Sequence, residues 1–186
     1  MGNGTGSSTR TAYCGGCRGK ALIPVARVLP SGIELNIRQA RLSDAPAIVN
    51  ANLCLARETE NRQLDAGRVA SGVQALLREP ARGAYFVAES GGTFAGQLLV
   101  TYEWSDWRNG NLWWLQSVYV HPDFRRQGVF RRLFHYLQTL AAVQPEVAGL
   151  RLYMHSENRT ARCAYEGLGM SRTQYEVFEL DLQTLR

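Results

Sequence analysis

Val120-His121-Pro122-Asp123-Phe124-Arg125-Arg126-Gln127-Gly128 joins two stretches of opposite periodicity. Upstream, Leu112 to Val120 is dense in Trp, Leu, Val and Tyr and reads as a buried strand. Downstream, Phe130, Leu133, Phe134, Leu137, Leu140 and Ala141 recur at helical spacing. A strand therefore passes through a short basic loop into an amphipathic helix. The first N–H groups of a helix have no intrahelical partner and its dipole favours negative charge, so such a start is a site for phosphate. Gly128 lets a ligand approach the backbone closely, and Arg125, Arg126, Arg131 and Arg132 add positive charge. The loop has neither the Gly-Lys-Ser/Thr of a Walker loop nor the Gly-x-Gly-x-x-Gly of a dinucleotide turn.

Outward from this loop the pattern stays regular. Ile33, Leu35 and Ile37 alternate as a first strand. Ser43 with Pro46 starts a helix faced by Ile48, Val49, Leu53 and Leu55. Asp65 opens a second helix with Val69, Val73, Leu76 and Leu77, which Pro80 ends. Ala84 to Glu89 and Phe94 to Trp104 form a hairpin about Gly91-Gly92, and a polar turn over 106–111 leads to the Trp113 strand. Beyond the Gly128 helix, Leu150, Leu152 and Met154 alternate. Asn158 to Glu166 is a short helix closed by Gly167 and Gly169, and Thr173 to Leu182 reads as a last strand. The expected order is β-α-α-β-β-β-α-β-α-β.

Composition narrows the class. The chain has 186 residues, enough for one domain with a real core. No apolar run approaches the ~18 residues of a membrane span. The net charge is +5, but residues 1–32 carry Arg10, Arg18, Lys20 and Arg27 and no acid, so most of it belongs to this segment. That is weak support for nucleic-acid binding by the domain. Rich in Gly, Ser, Thr and Arg, residues 1–32 read as a disordered tail, and 33–186 as the folded domain. Of four cysteines, Cys54 and Cys163 fall on helical patterns and are expected to be buried. Cys14-Gly-Gly-Cys17 has metal or redox spacing, but no second pair or nearby His completes a zinc set, and no metal is expected.

The loop resembles the pyrophosphate loop of the GNAT family, the GCN5-related N-acetyltransferases, whose pattern is Gln/Arg-x-x-Gly-x-Gly/Ala. Here it reads Arg125-Arg126-Gln127-Gly128-Val129-Phe130, with Phe130 departing at the last position. A second segment resembles the family's Leu-x-Val-x-x-x-Asn … Tyr-x-x-x-Gly-Met/Phe: Leu152-Tyr153-Met154-His155-Ser156-Glu157-Asn158, then Tyr165-Glu166-Gly167-Leu168-Gly169-Met170. The resemblance spans about Ile33 to Leu182. It implies an α/β GNAT fold, a mixed and mostly antiparallel central sheet flanked by helices, and acetyl-CoA as co-substrate.

The same resemblance implies roles. The cofactor would be held by the backbone of Val118 and Val120, by the loop from Arg125 through Arg126, Gln127, Gly128, Val129 and Phe130 to Arg131, and by Asn158. Val118 would offer the amide that polarises the acetyl carbonyl. Tyr165 would be the general acid, since a phenol of pKa about 10 suits protonation of a departing thiolate. A primary amine of pKa about 10.4 costs roughly 4 kcal/mol to present neutral at pH 7. Trp114 occupies the position of the Glu that some GNAT enzymes use as base. Glu103 is the alternative catalytic carboxylate, and Glu58, Trp104, Asp106 and Gln116 are candidates for binding the acceptor.

The segment Thr101 to Val120 also resembles the diamine and thialysine acetyltransferase branch, except that Gln116-Ser117 replaces its acidic pair. A small amine or amino acid acceptor is therefore expected. A protein or peptide N-acetyltransferase and a non-catalytic CoA-binding module stay open beside it. The aromatic set Trp104, Trp107, Trp113 and Trp114 suggests a walled pocket or a dimer face. The expected protein is cytoplasmic, binds neither membrane nor nucleic acid, and can form a homodimer. Deleting residues 1–32 should leave melting temperature and acetyl-CoA affinity nearly unchanged; a large loss of stability would show that this segment packs on the domain.

Overall fold

Apolar runs become strands and apolar stripes become helices in a computed structural model that describes Met1 and residues 33–182. The expected tail, with Cys14 and Cys17, falls on residues outside those described. The chain divides into Met1–Ser31 and Gly32–Arg186, and everything below concerns the second unit. Its elements are β1 (Asn36–Gln39), α1 (Ala45–Glu60), α2 (Ala66–Arg78), β2 (Ala84–Ser90), β3 (Thr93–Ser105), β4 (Gly110–Val120), α3 (Val129–Ala142), β5 (Val147–Arg151) and α4 (Arg159–Glu166).

Local chemistry sets the boundaries. Pro46 sits in the first turn of α1, where its missing N–H costs nothing. Asp65 caps α2, its carboxylate accepting from the Arg68 amide at 2.6 Å. The Gly91-Gly92 turn takes positive φ at both residues, as a tight hairpin requires.

The strands lie in sequence order, β1 to β5. The first four run antiparallel, and β5 runs parallel to β4. A parallel neighbour needs a crossover, and α3 provides it. The two faces of the sheet are covered by different helices. Phe86, Leu98, Val100, Trp113 and Leu115 pack with Val129, Leu133, Phe134 and Leu137 of α3. Tyr85, Val87 and Leu99 point the other way, onto Ala45 and Ile48 of α1 and Val73 of α2. Burial on both sides explains why β2 is buried at successive positions from Ala84 to Ala88.

Three expectations need adjustment. Residues 171–182 form no strand, and Tyr175, Val177, Phe178 and Leu180 are exposed. Alternation there gives two faces, but a strand also needs a neighbouring edge to bond with. The strand through Leu150 ends at Arg151, short of Leu152 and Met154. Cys163 is exposed and Cys54 only half-buried, because neither helix turns its cysteine fully to the sheet.

Leu133 is fully buried at the centre of the α3 face. Leu133→Ala is expected to lower unfolding free energy by about 2–5 kcal/mol, measured by urea denaturation.

Candidate active site

β4 pairs with β3 from Gly110 to Gln116 and again at Tyr119 and Val120, but stays with β5 only from Asn111 to Trp114. Past Trp114↔Arg151 the two parallel strands part. Among the described residues, Leu115 to Val120 thus has no strand partner on the β5 side, and the Val120 carbonyl instead accepts from Arg125. The start of α3 and Tyr165 of α4 are in contact through the Phe130 ring, whereas Val118, Val120, the 125–131 segment and Asn158 do not line the cleft that runs along β5.

The turn over 125–128 is shaped for an anion. Arg126 and Gly128 both take positive φ, 64° and 77°, which turns successive amides toward one side. A Cβ on Gly128 would meet nothing within 4 Å, so the space above it is open. Gly128 is the N-cap of α3, leaving the first amides of the helix (Val129, Phe130, Arg131) without intrahelical partners. The side chain of Val129 is buried in the core, so only its backbone can serve the turn. Arg126 and Arg131 are exposed. Gln127 braces the turn by donating to the Asp123 carbonyl at 2.7 Å. Arg125 is engaged sideways: its guanidinium pairs with Glu58 of α1 at 2.6 Å, donates to the Val120 carbonyl at 3.0 Å, and lies over the Tyr119 ring. Glu58 and Arg125 therefore clamp the loop to α1.

Asn158 caps α4, accepting from the Ala161 amide through Oδ1 at 2.9 Å. That bond uses the carbonyl end and leaves the Nδ2 donors for a ligand. One α-helical stretch later, burial raises the pKa of the Tyr165 phenol above its ordinary value, so it is neutral at physiological pH. Its ring stands edge-on to Phe130, centroids 5.5 Å apart, and Phe130 in turn packs on Phe134. The residue that departs from the loop pattern thus positions the general-acid candidate.

A cleft of about 1110 Å³ runs along β5 and is lined by Tyr165 together with Glu103, Trp114, Arg151 and Tyr153. The Trp114 indole N–H donates to the Glu103 carboxylate, and Arg151 Nη1 donates to the same group at 3.2 Å. Arg151 also lies over the Trp114 ring, and Tyr153 packs beside it. Sequence reading missed Arg151 and Tyr153; the signal was their alternation with Leu150 and Leu152. The remaining acceptor candidates lie outside the cleft walls. Gln116 is opposite Leu99 on the α1/α2 face and donates to Thr101 at 2.6 Å. Asp106 accepts from the Trp107 amide at the exposed hairpin tip. Trp104 and Trp107 are 63% and 89% exposed, and Trp113 is core, so only Trp114 of the four lines the cleft. Among the described residues no group of three or more His, Cys, Asp and Glu could hold a metal, and no helix is long and apolar enough to cross a membrane.

Known proteins agree with this geometry. Residues 81–169 match the acetyltransferase (GNAT) domain model. A possible acetyltransferase from Clostridium difficile 630 is 41% identical, with 79% of this chain and 97% of that one covered at a TM-score of 0.75. The ribosomal-protein-alanine N-acetyltransferase from Brucella melitensis shares the fold at 18% identity, covering 80% of this chain and 99% of that one with a TM-score of 0.65. So does the aminoglycoside N-acetyltransferase AAC(6')-Iy, crystallised with CoA, at 17% identity, 83% and 99% coverage and a TM-score of 0.65. No curated protein sequence matches the chain significantly. The protein is an acetyl-CoA-dependent acetyltransferase and belongs to the GNAT family.

Gly128→Val places a β-branched residue at φ +77° and fills the open space above the turn. The strain of about 1–2 kcal/mol is too small to unfold a domain of ordinary stability. The expected result is loss of acetyl-CoA binding in calorimetric titration with a native circular dichroism spectrum. Wild-type affinity in this variant would remove the turn from the cofactor site.

Proposed function

We propose that the protein transfers the acetyl group of acetyl-CoA to a small primary amine by direct attack, within a catalytic domain spanning residues 33–186. The observation that carries this reading is the shared cleft: Tyr165 lines the same walls as Glu103, Trp114 and Tyr153. Those walls supply the Glu103 carboxylate and aromatic faces, which attract an ammonium group on the sides that Arg151 does not already occupy.

The residues divide the work. The amides of the 126–131 turn and helix start hold the pyrophosphate, and Asn158 Nδ2 with the open backbone of β4 holds the pantetheine arm. Val118 N–H polarises the thioester carbonyl, where charge develops as the amine attacks. A C–N bond forms and the C–S bond breaks. The Tyr165 phenol gives its proton to the departing thiolate, and the proton shed by the amine leaves to solvent. The Glu103 carboxylate, already bonded by Trp114 and Arg151, orients the incoming cation by charge.

Purified protein with acetyl-CoA and a panel of primary amines and peptide N-termini, followed through free thiol, identifies the acceptor class. Turnover confined to peptides would overturn the small-amine reading. Tyr165→Phe keeps the ring that packs on Phe130, so melting temperature and acetyl-CoA Kd should barely change. Turnover should fall by roughly 10²–10⁴, the range for a lost general acid. Unchanged kcat on a good amine would exclude Tyr165 from the mechanism.

A further inference from the structure

β4 carries an irregularity that no sequence pattern announces. Gln97 of β3 pairs with Tyr119 and Leu99 with Gln116, so β4 uses one more residue than β3 over this interval. Ser117 takes up the excess at φ +47°. An L-residue with a Cβ seldom holds that left-handed conformation unless its surroundings fix it. The next amide along the strand is Val118 N–H, assigned above to the acetyl carbonyl; the inference rests on that assignment.

Side chains from three elements converge beneath the bulge. Gln97 is fully buried, at 0% exposure, on the sheet face that carries Tyr85, Val87 and Leu99. Its Nε2 donates to Asn52 Oδ1 of α1 at 2.7 Å and reaches the Ser117 carbonyl at 3.4 Å. Asn52 Nδ2 in turn donates to the Tyr85 hydroxyl at 3.0 Å. The chain from Tyr85 through Asn52 and Gln97 therefore ends on the Ser117 carbonyl. Rotating the Gln97 amide would set oxygen against the Asn52 and Ser117 oxygens, so its orientation is determined by the network.

Among the described residues Gln97 Oε1 is buried with no hydrogen-bond partner. A buried unsatisfied acceptor destabilises the fold, and the Nε2 donations to Asn52 and Ser117 offset that cost only in part. What the polar cluster supplies is position, at the positive-φ residue that precedes the Val118 amide.

We propose that Gln97, Asn52 and Tyr85 are positioning residues that lock the Ser117 bulge and so aim the Val118 N–H at the acetyl carbonyl. None of the three touches substrate; each acts through the backbone of β4.

The test uses the full chain, Gln97→Leu, and isotope-edited infrared spectra of bound acetyl-CoA labelled at its carbonyl carbon. A hydrogen bond to the thioester carbonyl lowers its stretching frequency. In the wild type the bound band should lie below that of free acetyl-CoA. In Gln97→Leu that shift should largely vanish and kcat should fall about 10–100-fold, short of the roughly 10²–10³ for outright loss of an oxyanion donor. The Kd for CoA, which lacks the carbonyl, should stay within about twofold, and KM for acetyl-CoA should change little. A wild-type carbonyl frequency in the variant overturns the proposal, whether or not kcat falls, because a merely structural role leaves that band in place. Should Gln97→Leu fail to fold, Tyr85→Phe keeps the packed ring, removes only the hydroxyl, and is expected to show the same loss of the carbonyl shift; a wild-type carbonyl frequency there overturns the proposal as well. Failure of the underlying reading looks different. There the wild type itself would show no carbonyl shift or no thiol release with any amine.

Discussion

The site depends on one strand satisfying two neighbours unequally. β4 must stay bonded to β3, or the sheet would come apart at its centre. It must also release β5 after Trp114, or no backbone would be open to a ligand. Backbone N–H and C=O groups left unpaired are costly unless water or a ligand meets them. The parting of β4 and β5 therefore creates both an opening and a set of groups that a pantetheine amide can satisfy. The Ser117 bulge adds local twist where the strands diverge, as bulges do.

Helix starts complete what the sheet begins. α3 and α4 are each capped so that donors remain: Gly128 uses no side chain, and Asn158 commits only its oxygen. The loop between β4 and α3 is held from outside by Glu58 and Arg125 and from below by Gln127. A phosphate arriving there meets amides already oriented, which lowers the ordering cost of binding.

Phe130 shows how a departure from a motif can be absorbed. A small residue at this place would leave room beside the turn. The phenylalanine instead points inward, bridging Phe134 of the core and the Tyr165 ring. The general-acid candidate is thus tied by aromatic packing to the same helix whose first amides are proposed to hold the pyrophosphate.

Element order, the two helix starts, the glycine turn and the Asn158–Tyr165 spacing were all determined by the sequence itself. Each is a local matter: periodicity, a cap, a positive φ, a fixed number of residues along one helix. Residues 171–182 mark the limit of that reading, because alternation of side chains does not by itself produce a strand without an edge to pair with. Which titratable groups meet was decided by tertiary structure alone. Glu103 and Arg151 are far apart in sequence and are brought together because β3 and β5 flank the same stretch of β4. Glu58 is drawn to Arg125 rather than to an acceptor, and Gln97 finds Asn52 under a bulge that depends on the register between β3 and β4. Register and strand parting arise from long-range pairing, where a shift of one residue exchanges the two faces of the sheet, so no local pattern encodes them.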